Sequence, residues 1–231
     1  MAEKSNYREN LFVSLAANIA IPALILSKGA DWVPQISPVA RLVIALAFPC
    51  AYFVYDYVRT RKTNFISILG FAGTLLTGGV GLFRLAPIWV AVKEAAIPAL
   101  IAIALLISRK TVRKFLFNER VFDVSAIESA VSERGTFDVF DLALRRSSWL
   151  LFLSFALSAV LNFALARWIV VSDPAENLDA FNAEIGKMLA LSWPVIVAPC
   201  IVFAGAALFV LVRGITTASA IPLEKLLRAD K

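Results

Sequence analysis

Histidine is missing from this chain. Its absence removes the side chain most often used as a general base, and the commonest metal ligand, near neutral pH. A His-Glu-x-x-His metalloprotease helix is therefore excluded, and no Gly-x-Ser-x-Gly nucleophile elbow occurs. Cysteine is nearly absent too. Cys50 and Cys200 both lie inside apolar runs and form no Cys-x-x-Cys, so a zinc ribbon and a dithiol redox centre are excluded. They read as small buried hydrophobes. Charge is scarce as well: 17% of residues are charged against 60% apolar, and mean hydropathy is +0.78. A soluble domain carries about a quarter charged residues. No catalytic, cofactor-binding or metal-ligating set is expected, and the chain reads as not an enzyme.

What is present is long apolar sequence. A bilayer core about 30 Å thick needs about 20 apolar helical residues. Six stretches of the 231 residues qualify: 11–27, 38–58, 65–85, 87–108, 148–171 and 188–212. The expected fold is thus all-α, a single polytopic membrane domain over 1–231 with about six transmembrane helices. The polar first ten residues, MAEKSNYREN, precede a run read as a retained span, not a cleaved leader.

The net charge of +6 does not point to nucleic acid, because the basic residues fall between apolar runs and not on one soluble face. With both termini placed inside, 17 of the 23 Lys and Arg residues are cytoplasmic, leaving Lys28, Arg41, Arg84, Lys93, Arg167 and Lys187 elsewhere. The acids Asp173, Glu176, Asp179 and Glu184 fall in the outer loop between spans five and six. Trp32, Trp89, Trp168 and Trp193 mark the outer boundary and Trp149 the inner one, where indole rings favour the headgroup zone.

Residues 109–147 form a cytoplasmic amphipathic insertion. Ser125 to Glu128 reads as a capping box that opens a helix with Val124, Ile127 and Val131 on one face. Gly135 stops that helix, and Phe137, Phe140 and Leu144 begin a second short one. Phe115, Leu116 and Phe117, set among basic residues, fit a membrane interface or the protein's own underside.

A few polar residues fall inside the spans. An ionised side chain at the bilayer centre costs about 2.5 kcal/mol or more, so each needs a partner or a task. Lys93 and Glu94 are the clearest, and as neighbours about 100° apart they are not expected to satisfy each other alone. With Asn18, Arg84, Asn162, Arg167 and Lys187 they form the candidate polar intramembrane site, one able to line a pocket for an anionic group. The alternative for Arg84, Arg167 and Lys187 is that they end their helices and reach headgroups. Gly70, Gly73, Gly78 and Gly79, with Thr74 and Thr77, suit close helix packing in span three.

Ile-Pro-Ala-Leu occurs twice, at 21–24 and 97–100, each time with a polar residue four positions before the proline, Asn18 and Glu94. Proline offers no amide to the carbonyl four residues earlier, so both helices should kink there. Spans one and four run in opposite directions, as in a three-plus-three inverted repeat with a midplane site.

Four stretches carry a resemblance: RTRKTNFISILG at 59–70, VKEAAIP at 92–98, LSAVLNF at 157–163 and FNAEIGKM at 181–188. In these the chain resembles the bacterial inner-membrane family related to intracellular septation protein A, in its longer branch, from span two to span six. The cytoplasmic insertion and the Lys-Glu pair set it apart from the shorter members. The resemblance implies an inner-membrane protein of envelope maintenance or septation, with no established reaction, acting through membrane lipids or other envelope and division proteins. A homodimer is one assembly open to it. The alternative is a small secondary transporter or lipid or anion carrier, with its site around Lys93 and Glu94.

Overall fold

A computed structural model of the chain describes residues 16–60, 65–107, 117, 122–222 and 225. These residues are helical almost throughout, with no strand among them. One turn of π-helix, Ala16–Ala20, leads into α1 (Ile21–Trp32), followed by α2 (Pro38–Thr60), α3 (Phe65–Leu82) and α4 (Ile88–Ile107). Then come α5 (Val124–Arg134), α6 (Phe137–Ile169) and α7 (Leu178–Ser192), with a second π turn, Trp193–Val197, joining α7 to α8 (Ala198–Ser219).

Four helical runs among the described residues are long and apolar enough to cross a bilayer: Pro38–Val58, Ile88–Ile107, Phe137–Ile169 and Leu178–Ser219. Only 17% to 22% of their apolar windows is buried in protein. Water would solvate the rest at about 25 cal/mol per Å² of apolar surface, whereas hydrocarbon solvates it without that cost. All five tryptophans are exposed, from 46% at Trp193 to 80% at Trp168. The protein is a multi-pass, all-α membrane protein.

Spans two and four begin where expected because Pro38 and Pro87 set their starts; α2 continues to Thr60, and α4 is described as far as Ile107. The third is the 18-residue α3, about 27 Å long at 1.5 Å per residue. Of the first span, residues 11–15 lie outside the described residues. The remaining two expected spans are parts of longer helices. No second short amphipathic helix precedes span five: Phe137 opens α6, which runs 33 residues without a break because it contains neither glycine nor proline. Span six begins earlier, as the loop between spans five and six holds α7, and the run from Leu178 to Ser219 reaches 42 residues.

That run contains Pro194 and Pro199. The π turns explain how such prolines are accommodated. Pro22 and Pro199 each stand second in an α-helix that follows a π turn, and the carbonyls four residues earlier, of Asn18 and Val195, sit at the centres of those turns. One extra residue widens the turn and relieves the clash between ring and carbonyl. At Pro98 the helix stays α. The backbone echo thus joins Pro22 to Pro199, where the sequence suggested Pro22 and Pro98.

The chain divides into two compact units, Met1–Ala95 with Asn162–Val195, and Ala96–Leu161 with Ile196–Lys231. In the first, α1 packs on α7 at Gly186, where an added Cβ would lie 2.6 Å from the Ser27 amide nitrogen and 2.7 Å from the Ala23 carbonyl oxygen. Helices α2 and α3 meet where Gly78 faces Leu46 and Gly81 faces Leu42. The expected role of small residues in span three, close approach, holds at Gly78. Phe181 and Ile185 are fully buried in this unit.

In the second unit Ile127 and Val131 of α5 are fully buried against Phe117, Phe140, Leu144, Leu211 and Ile215. The stripe read from the sequence therefore packs on the protein's own helices. Phe117 stacks on Phe122 at 5.9 Å and meets Phe140 edge-on at 5.4 Å; Phe115 and Leu116 lie outside the described residues. The helix starts two residues before the expected cap: the Asp123 carboxylate accepts from the Ala126 amide at 3.1 Å and from the Ser125 hydroxyl at 2.8 Å. Aspartate outranks the serine here because its side chain reaches both donors. Gly135 does end α5, at φ 64°. Ser154 donates to the Cys200 carbonyl at 2.9 Å and Cys200 donates to the Ser154 carbonyl at 3.6 Å, joining α6 to α8.

Candidate functional site

The structure joins two of the seven candidate residues directly. Lys93 and Glu94 sit in the second turn of α4, and Lys93 Nζ lies 2.6 Å from Glu94 Oε1. Their side chains are 13% and 25% exposed. Adjacency on the helix did not prevent the pair, because the lysine stem is long enough to fold back. Nor does Glu94 satisfy the ammonium by itself. Lys93 also donates to Thr77 Oγ1 at 2.5 Å and to the Gly73 carbonyl at 3.3 Å, both on α3, and Thr77 donates to that carbonyl at 3.0 Å. One carboxylate, one hydroxyl and one carbonyl thus take the three ammonium protons. Thr77 is 9% exposed; the sequence placed it at a helix contact, where a threonine can bond across the interface.

Three of the other five candidates, Arg84, Arg167 and Lys187, are exposed. Arg84 is exposed, with φ 52°. It closes α3: its amide donates to Gly81 at 3.2 Å and the Leu85 amide donates to Val80 at 2.9 Å. That is the bonding of a Schellman motif, with arginine where glycine is usual. Arg167 is exposed in the last turn of α6, and Lys187 is exposed on α7. Helix ending is therefore the reading that fits Arg84 and Arg167. Asn18 and Asn162 are each engaged by a partner.

A second polar cluster, not anticipated, lies in the same unit. Arg41, 6% exposed in the first turn of α2, pairs with Asp179 in the first turn of α7. The partners are 138 residues apart, a separation no local pattern reveals. Asn182, 3% exposed, donates to the Pro38 carbonyl at 3.0 Å, so two polar links tie α7 to the start of α2. Glu184 reaches back to the loop after α6, accepting from the amides of Val171 and Ser172, both at 2.9 Å, and from the Ser172 hydroxyl at 2.7 Å. Two of the four acids in the loop between spans five and six, Asp179 and Glu184, are thus used to fasten it.

Chemically, the Lys93 cluster is closed, whereas in the second cluster Asn182 Oδ1 is buried with no hydrogen-bond partner among the described residues. Each cation rests on oxygen acceptors supplied by the fold, which is how a charge is tolerated away from water. No protein-family model, curated protein or solved structure matches the chain.

Proposed function

We propose that this is a non-catalytic protein of the bacterial inner membrane, of the family related to intracellular septation protein A, with both termini cytoplasmic. It supports the cell envelope through contacts with lipids and with other envelope or division proteins, and self-association as a homodimer belongs to the same reading. One observation carries the proposal. The ionised pair inside the spans, Lys93 and Glu94, is committed to internal bonds with Thr77 and Gly73. What the protein offers outward is apolar helix surface rimmed by tryptophan, suited to lipids and membrane partners. The four stretches of resemblance favour the same role, and the distribution of Lys and Arg favours the stated orientation.

Deleting the coding sequence from the source bacterium tests the reading. The expected result is altered cell shape or raised detergent sensitivity, restored by the wild-type chain, with envelope or division proteins recovered on cross-linking. Normal morphology together with no cross-linked partner overturns it. Substrate flux by the purified chain in proteoliposomes, lost in Lys93→Met, would instead establish the carrier alternative.

A further inference from the structure

We propose that the seam between α6 and α8 binds the phosphate of an anionic phospholipid, held between Arg146 and Arg213 at the membrane surface.

The seam is very tight. A Cβ placed on Gly214 would lie 2.0 Å from the Ala143 Cβ, so these two residues mark the line of contact. The helices are antiparallel, since Ser154 meets Cys200 while Ala143 meets Gly214. On α6, buried Phe140, Leu144 and Ser147 lie to one side of that line, and on α8 buried Leu211, Ile215 and Ala218 lie to the same side. At about 100° per residue, Arg146 stands about 60° to the other side of Ala143, and Arg213 about 100° to the other side of Gly214. Because the chains run in opposite directions, those two displacements point to one shared outer face.

The levels agree too. Arg146 is three residues along α6 from the crossing and Arg213 one residue back along α8, which puts both on the same side of it and within about 3 Å in height. With axes this close, their Cβ atoms stand about 7 Å apart. Two arginine forks at that separation can converge on one phosphate, each with paired N–H donors. Both side chains are exposed, and neither makes an ion pair among the described residues. Arg145, by contrast, faces away from the seam and lies 3.7 Å from Asp141.

The surroundings of the two arginines are those of a lipid headgroup. Trp149 is three residues beyond Arg146 on the same exposed face, 54% exposed, and Leu153 follows it at 44%. Trp149 stands where the polar run Arg145 to Ser148 of α6 gives way to apolar residues, the position that indole rings favour at a membrane interface. Trp149 therefore sits at one interface, Arg146 and Arg213 at headgroup height, and Leu153 among acyl chains.

The inference rests on the chain being a membrane protein that meets lipids, and not on an envelope role. It is tested on the purified full-length chain, so its failure and a normal deletion strain are separate results. Native mass spectrometry in detergent, titrating phosphatidylglycerol, phosphatidylcholine or inorganic phosphate, reads it directly. Phosphatidylglycerol is expected to bind the wild type in preference to phosphatidylcholine. Arg146→Gln and Arg213→Gln should each weaken it about fivefold, the loss expected for one arginine near a membrane surface. Arg145→Gln, with the same change in net charge, should stay within about twofold. An equal loss in Arg145→Gln, equal binding of phosphatidylcholine, or displacement of the lipid by inorganic phosphate at matched concentration would overturn the proposal.

Discussion

Replacing Lys93 with methionine separates a structural pair from a working site. The change keeps the stem and removes the ammonium, so Glu94 loses its counter-charge while Thr77 and Gly73 keep their bond to each other. Breaking a buried pair at one end costs about 3–5 kcal/mol. Glu94 is 25% exposed, so the lower end, about 3 kcal/mol, applies. Glu94→Met should cost less, about 1–2 kcal/mol, because the lysine retains two oxygen acceptors and its stem can reach toward the interface. The double variant leaves no charge behind and should return to within about 1 kcal/mol of wild type. The coupling is then about 3–5 kcal/mol, well above the error of a mutant cycle. Equilibrium unfolding in mixed micelles, followed by tryptophan fluorescence, measures all four proteins. A double variant as unstable as the sum of the singles would refute the reasoning, as would a Lys93→Met chain of wild-type stability.

Three further outcomes are expected in the same assay. Gly186→Ala should destabilise by about 1–3 kcal/mol, because its Cβ meets backbone atoms of α1, whereas Gly205→Ala, with nothing within 4 Å, should gain up to about 1 kcal/mol in helix propensity; equal effects at the two glycines would contradict the packing described. Arg41→Gln should cost about 1–2 kcal/mol, less than for a fully buried pair since Asp179 is 44% exposed, and a fully additive cycle with Asp179→Asn would show that the pair contributes nothing. Arg84→Gly should stabilise by about 1 kcal/mol by relieving a left-handed backbone, and a loss of stability would mean that the guanidinium has a partner of its own.

Much of the fold was legible because transfer into hydrocarbon depends on local composition. Spans two and four could be placed from their apolar runs and their opening prolines. The continuity of α6 was within reach as well, since no helix breaker separates Phe137 from Ile169; a hydropathy window ends at Ser148 only because polar residues begin there. The Asp123 cap was a contest between two good caps two residues apart, and the carboxylate's reach to two donors settled it. In the candidate site, Lys93 and Glu94 stood out as charges in an apolar run, but Thr77 and Gly73 looked like any small residues at a helix contact.

The sequence by itself determined that this chain lives in a membrane as a helical, multi-pass protein, because 60% apolar residues in runs of bilayer length have no other stable solvent. Tertiary structure alone decided which charges meet. Arg41 and Asp179, like Lys93 and Thr77, are joined by helices that cross at distances set by glycine and by side-chain shape. Those contacts depend on how whole helices pack, and packing is a property of surfaces in three dimensions that no stretch of residues carries alone.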